Sequence, residues 1–299
     1  MFPKIILENF KKYNFDTNEN LYEIYNVNFS KLEKFYSKVD PFYIELITQE
    51  IENVLNSDLV ADNLHWLNIM RKVAHSLVEV PLISLDVYEN STNKENRNEK
   101  FTAVLLHDIG HFKQYMITKK FRDNEVKHGE IGSQILLDTI NQAPDKNMVT
   151  SYAKAITEHS LVKVEATNPM VYELIYFIRD CDKLAMFLSW ERHQKGVFLE
   201  NRNNLNLLEE SYSDNVLSTF KNHKAIDYKY LKTKSDYLIS LIAYTFDYYD
   251  DSCIKIMKDQ KLLEPILELL KSQLKNEKQF LEINSIINKY INNLLVFKN

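Results

Sequence analysis

Glycine is close to absent from this chain: four occur in 299 residues, beside six prolines. These two residue types interrupt regular backbone most strongly, so a chain this poor in them is expected to be helical over most of its length. Three of the four glycines, Gly110, Gly129 and Gly132, fall between residues 107 and 132. The backbone freedom the sequence does have is concentrated in one short stretch.

Apolar residues recur at helical spacing almost throughout. Phe42, Ile44, Ile47, Ile51 and Leu55 predict a helix after Pro41, and Leu64, Leu67, Val73 and Leu77 a second, capped by Asp62 and stopped before Pro81. A polar run from Glu89 to Lys100 precedes residues 101–106, read as a buried helix leading into His107. Gly110 is expected to end that helix, and Ile131, Ile135 and Leu136 continue another after Gly129. Further helices are expected at about 147–159, 170–190, 228–249, 253–273 (broken at Pro265) and 278–296. With no strand alternation, repeat or long linker, the expected fold class is all-α. It comprises an N-terminal extension over 1–60, a core over 61–200 and C-terminal helices over 201–299 packing on it. Ile266, Leu269, Leu270 and Leu274 in the tail are expected to serve the core or a homodimer contact.

Composition narrows the function. Apolar residues make up 45% of the chain, with 16 Phe and 18 Tyr, enough for a sizeable core. The net charge of -5 is spread along the sequence, which argues against a duplex-DNA partner. No apolar run approaches the roughly 20 residues of a membrane span, and residues 1–12 lack the zones of a signal peptide. A cytoplasmic protein without a membrane partner is expected. Cys181 and Cys253 suggest neither a disulfide framework nor a thiolate zinc site. A metal here would be bound through histidine and carboxylate.

The stretch Leu105-Leu106-His107-Asp108-Ile109-Gly110-His111 carries the chemistry. Six of the eight histidines (65, 75, 107, 111, 128 and 159) lie within 95 residues, and Asp180 and Asp182 follow. Neutral imidazole and carboxylate suit Mn, Fe, Co, Ni, Zn or, with fewer histidines, Mg. Adjacent helical residues point about 100° apart, so His107 and Asp108 can approach one ion from neighbouring directions. A divalent ion so held acidifies water and neutralises charge on a phosphoryl group.

These segments resemble the HD superfamily of metal-dependent phosphohydrolases. "VLLHDIGHF" is similar to the central His-Asp motif, "HWLNIMRKVAHSL" to the first-histidine helix and "FIRDCDKLAMF" to the late-aspartate motif. The resemblance implies an HD-domain helical bundle whose ligands are His65, His107, Asp108 and Asp182. "KHGEIGSQIL" and "AITEHS" match the extra histidines of two-metal members, which implies His128 and His159 for a second ion. It covers roughly residues 60 to 255. The Gly-Tyr-Pro of one cyclic-dinucleotide subclass, the Pro-Phe continuation of the dNTP triphosphohydrolases and the Glu-Asp pair of the ppGpp hydrolases are all missing, which leaves the subfamily open.

His75 competes with His65 for the first ligand position, and the family spacing favours His65, leaving His75 packed behind the site. His111 is expected behind the ligands or facing substrate, and Asp180 in a structural place. Among the cations Lys113, Arg122, Lys127, Arg179 and Lys183, Lys183 is the one expected to meet a phosphate, since it follows Asp182. The function implied is hydrolysis of a small phosphorylated substrate, a nucleotide first, with Asp108 and Lys183 in catalytic roles and one or two divalent ions. A di-iron oxygenase on the same ligands and a non-catalytic nucleotide sensor are the alternatives.

Overall fold

The computed structural model describes residues 28–121, 123, 126–161, 163–193 and 211–296, without the side chains of 29, 189–193 and 295–296. The fold is all-α, with no strand among these residues. The chain divides into two compact units, Met1–Ala185 and Met186–Asn299. The expected boundary near residue 200 and Arg122 lie outside the described residues. No described helix is long and apolar enough to cross a membrane.

The first unit begins with α1 (Phe29–Tyr36) and α2 (Pro41–Leu55). Asn28 caps α1 by accepting from the Lys31 N–H, and Asp40 caps α2 the same way from Phe42, with Pro41 at the helix start. These two helices occupy the predicted N-terminal extension, yet they pack into the unit: α1 lies on α4 (Val80–Asn90), and α2 on α5 (Arg97–Leu106) and α6 (Ile109–Thr118). The apolar spacing after Pro41 was legible, whereas α1 was not expected. Its contribution is a stack in which the Phe35 ring sits 5.1 Å from Phe101, both fully buried.

Asp62 opens α3 (Asn63–Ala74) as predicted, accepting from the N–H groups of Leu64 and His65. The predicted stop before Pro81 does not occur. The chain passes through a π-helical turn at His75–Glu79 and runs straight into α4, with Pro81 in the first turn of that helix. Proline has no N–H to return to the carbonyl four residues back, here Leu77, and its ring crowds that carbonyl. The widened π-turn accommodates the misfit. The Tyr36 hydroxyl donates to the Leu77 carbonyl at 2.8 Å, supplying the missing donor from α1.

Helices α5 to α8 form the heart of the unit. α6 packs on α7 (His128–Asp138), and α7 on α8 (Lys146–Glu158), which also touches α5. The glycine cluster explains the closeness. A Cβ at Gly110 would lie 2.0 Å from the His128 carbonyl oxygen and 2.5 Å from the Gly132 nitrogen. A Cβ at Gly129 would lie 2.7 Å from the Ile156 carbonyl oxygen on α8. Gly110 therefore does not end a helix, as its type suggested. It sits inside α6, and the break falls two residues earlier at His107-Asp108. The long α9 (Pro169–His193) follows, with Leu174, Ile175, Ile178 and Cys181 fully buried.

The second unit holds α10 (Asp214–Lys221), α11 (Lys234–Ile242), α12 (Ser252–Asp259), α13 (Glu264–Gln273) and α14 (Glu277–Val296). The single helix expected over 228–249 is instead a 3-10 turn, α11 and a second 3-10 turn. Thr233 and Asp236 form a capping box that starts α11 late, and the same Asp236 carboxylate accepts from Ser213 N–H at 2.7 Å and Ser213 Oγ at 2.6 Å. The break at Pro265 is present, and Ile266, Leu270 and Leu274 are buried as α13 packs with α11 and α14.

Gly110→Ala is expected to destabilise the protein by at least about 3 kcal/mol, because the obstacle is backbone on another helix. Gly132→Ala, whose Cβ would meet two isoleucine methyls at 3.1 Å, should cost about 1 kcal/mol or less, offset by helix propensity. Thermal unfolding of the two variants tests the order, and equal stability would mean that α6 and α7 are not held this close.

Candidate metal centre

Four histidines and two aspartates come together from helix ends and one helix middle in the first unit. His75 closes α3, His107 closes α5, Asp108 precedes α6, His128 opens α7 and His159 closes α8, while Asp182 lies within α9. Two sets of donor atoms lie close enough to share an ion: His75, His107 and Asp108, and Asp108, His128 and His159. Asp108 belongs to both. Its carboxylate is not spent on capping α6, so both oxygens face the cluster. Asp182 adjoins the first set, with Oδ1 at 2.9 Å from His75 Nε2 and 3.8 Å from His107 Nε2.

The hydrogen bonds behind the rings decide which nitrogen each histidine presents. His107 Nδ1 donates to the Val104 carbonyl and His159 Nδ1 to the Ile156 carbonyl, each at 2.7 Å. His128 Nδ1 donates to the Asp123 carboxylate at 2.8 Å, and His75 Nδ1 faces Glu79 Oε2 at 3.2 Å. In His107, His128 and His159 an Nδ1 proton so committed leaves the Nε2 lone pair forward, the arrangement metal-ligating histidines take, while His75 Nε2 meets Asp182 Oδ1 at 2.9 Å. The Nε2 atoms of His128 and His159 face each other at 3.2 Å. Buried His107 Nε2 has no hydrogen-bond partner, although Asp108 Oδ2 lies 3.1 Å away. Lone pairs turned on one another and a buried nitrogen left unmatched are costly unless a cation stands between them. The donor set therefore fits a divalent ion.

Protonation follows the same logic. Burial, then the neighbouring His128 and His107, push the His159 pKa down to about 3, so this ring is neutral and ready to ligate. Burial, then His128 and Lys72, also push His111 well down. For Asp108, burial works upward, but His107, Lys72 and His111 override it and hold the carboxyl well below the usual range. Asp182 is likewise held low against burial by its hydrogen bond to His75 and by His107. Burial disfavours charge on His75, yet its bonds to Asp182 and Glu79 raise it to about 9.

The structure brings together His107, Asp108, His128, His159 and Asp182 from the predicted set. It does not bring in His65. His65 Nδ1 is 2.8 Å from the Tyr115 hydroxyl, and its ring packs edge-on to Tyr115 at 5.7 Å, in neither donor set. His75, at the end of α3, lies with His107 and Asp108 in the first donor set instead. His111 lies behind the ligands as expected: Nδ1 donates to Gln114 Oε1 at 2.7 Å, and the ring stacks on His128 at 3.8 Å. Lys183 is buried on α9, 9% exposed, and Asp180 is buried at 1%. Lys127 pairs with Glu130 at 3.2 Å, Lys113 is exposed, and Arg179 donates to the Leu161 carbonyl at 2.5 Å.

Three side chains had escaped the sequence reading. Glu79 follows His75 by one turn, a His-x-x-x-Glu pairing that was open to view. Asp123 holds His128 from a loop five residues upstream and also accepts from Gln114 Nε2 at 2.9 Å, a link that sequence spacing does not betray. Lys72, one turn before His75, places Nζ 2.5 Å from Asp108 Oδ2.

Among curated proteins and solved structures, none is significantly similar to the chain. Comparison with protein families finds an HD domain over residues 67–187, a stretch that starts beyond His65 and includes His75. Every side chain of the two donor sets lies inside it. It is this segment, residues 67–187, that is similar to the HD domain family.

Proposed function

We propose that this protein is a metal-dependent phosphohydrolase that cleaves a phosphomonoester or phosphodiester, with a nucleotide as its substrate class. The observation that carries this reading is the pair of donor sets meeting at one carboxylate, Asp108. His75, His107, Asp108 and Asp182 would hold one divalent ion, and Asp108, His128 and His159 a second. Mn, Fe, Co, Ni, Zn and Mg are the candidates. Such ions supply Lewis acidity, acidifying water and drawing charge from a phosphoryl group.

The chain's own groups then have defined tasks. Glu79 and Asp123 keep the rings of His75 and His128 turned with Nε2 forward, as the Val104 and Ile156 carbonyls do for His107 and His159. The Asp108 carboxylate, kept ionised by the positive groups around it, orients the attacking water. Lys183 offers a point charge to a phosphate oxygen. The ligand positions are almost closed to solvent: His107 is fully buried and His128 and His159 are 5% and 6% exposed, which strengthens each electrostatic contact. Asp182, with 30% of its side chain exposed, marks the side from which substrate enters.

Phosphate release from a nucleotide panel by metal-stripped protein should require added Mn, Co, Ni, Mg or Fe and disappear in Asp108→Ala. Full activity in that variant would sink the assignment. Retained iron with oxygen uptake and no phosphate release would move the site to oxygenase chemistry. His75→Ala should lower metal affinity and turnover by at least about 100-fold. His65→Ala should change them by less than about threefold. The reverse ranking would return the first ligand to His65. Asp123→Ala, which leaves all six donors in place, should weaken metal binding by about 10- to 100-fold, measured by calorimetric titration.

A further inference from the structure

Lys72 is a cation that the donor chemistry of the site does not explain. Its Nζ lies 2.5 Å from Asp108 Oδ2, the oxygen that also accepts from Ser76 Oγ at 3.0 Å and lies 3.1 Å from His107 Nε2. An ammonium thus stands against the carboxylate common to both donor sets, where a bound cation has to stand. Its side chain is 17% exposed, against 4% for Asp108. It rises from α3 one turn before His75, so its Cα is fixed while four flexible methylenes leave the head free to move.

One carboxylate oxygen cannot serve an ammonium and a divalent ion at once without bringing two cations together. When an ion is taken up by His75, His107 and Asp108, the ammonium has to leave Oδ2 and needs another anion. In a phosphohydrolase the anion delivered to that place is the phosphate of the substrate. We propose that Lys72 holds the place of the metal in the metal-free protein, yields it on loading, and then positions the substrate phosphate. This rests on the hydrolase reading above. It makes the one side chain both a competitor of the metal and a partner of the substrate, a combination that a purely structural ion pair would not have.

The test uses the full chain, stripped of metal, as wild type, Lys72→Met and Lys72→Arg. Two titrations are made by calorimetry: Mn2+ into stripped protein, and inorganic phosphate into Mn-loaded protein. Lys72→Met, which keeps the apolar stem, should bind Mn2+ on the order of tenfold more tightly, because its competitor is gone. It should bind phosphate on the order of tenfold more weakly. Lys72→Arg, which keeps the charge, should stay within about threefold of wild type in both and shows that the fold tolerates change here. Unchanged or weaker Mn2+ binding in Lys72→Met overturns the place-holding role. Unchanged phosphate binding in that variant, with normal binding in wild type, overturns the substrate role while leaving the hydrolase reading intact. Failure of loaded wild type to bind phosphate overturns the hydrolase reading itself and takes this proposal with it.

Discussion

The approach of α6 to α7 at Gly110 is the contact on which the rest of the first unit depends. The pro-chiral hydrogen of one residue points at the backbone of another helix, where a methyl would sit 2.0 Å from the His128 carbonyl. Since His107 and Asp108 immediately precede α6 and His128 opens α7, the spacing of these two helices is also the spacing between the halves of the donor cluster. Gly129 extends the closeness to α8, whose last turn leads into His159. A chain that uses glycine almost nowhere else uses it here because three helix ends have to meet within the reach of one carboxylate.

The same economy governs the histidines. A histidine in a core is ordinarily a satisfied polar residue, and His65 on Tyr115 is one of that kind. What distinguishes the others is that their satisfaction is one-sided: each commits Nδ1 to a fixed acceptor and leaves Nε2 turned inward. For His107 and His159 the acceptor is the carbonyl three residues back in their own chain, so the closing turn of a helix sets the tautomer. The carboxylates behind His128 and His75 add negative charge as well as direction. The C-terminal ends of α5 and α8 lie at the cluster too, and a helix C-terminus favours a nearby cation.

Much of this was legible in the sequence. Apolar spacing foretold the helices, because burial of one face dominates the choice. His107, Asp108, His128, His159 and Asp182 stood out through their flanking motifs, and all five meet. Motif spacing favoured His65 as the first ligand, whereas the structure brings His75 into the cluster. The expected stop before Pro81 did not occur either: the chain widens into a π-turn and continues, aided by a hydroxyl from a helix 41 residues away in sequence. Neither the π-turn nor Tyr36 can be read from local periodicity. Gly110 misled in the same way: glycine's usual place at a helix end competed with its other use, close backbone approach, and only the neighbouring helix decides between them.

The cluster also works against the stability of its own fold. Burying the Asp108 carboxylate and several imidazoles in one place costs free energy unless charges are matched. Part of the match comes from the chain itself: Lys72 and Ser76 on Asp108, and a His75 that favours its protonated form against Asp182. The facing nitrogens of His128 and His159 find no such remedy, since both Nδ1 protons are held from behind. A helical unit of this kind tolerates the strain because its apolar framework, from Phe35 and Phe101 to Leu174 and Ile178, is independent of the site's charge. The framework holds the donors at a separation they would not choose, and a divalent cation is the species that turns that separation from a cost into a binding site.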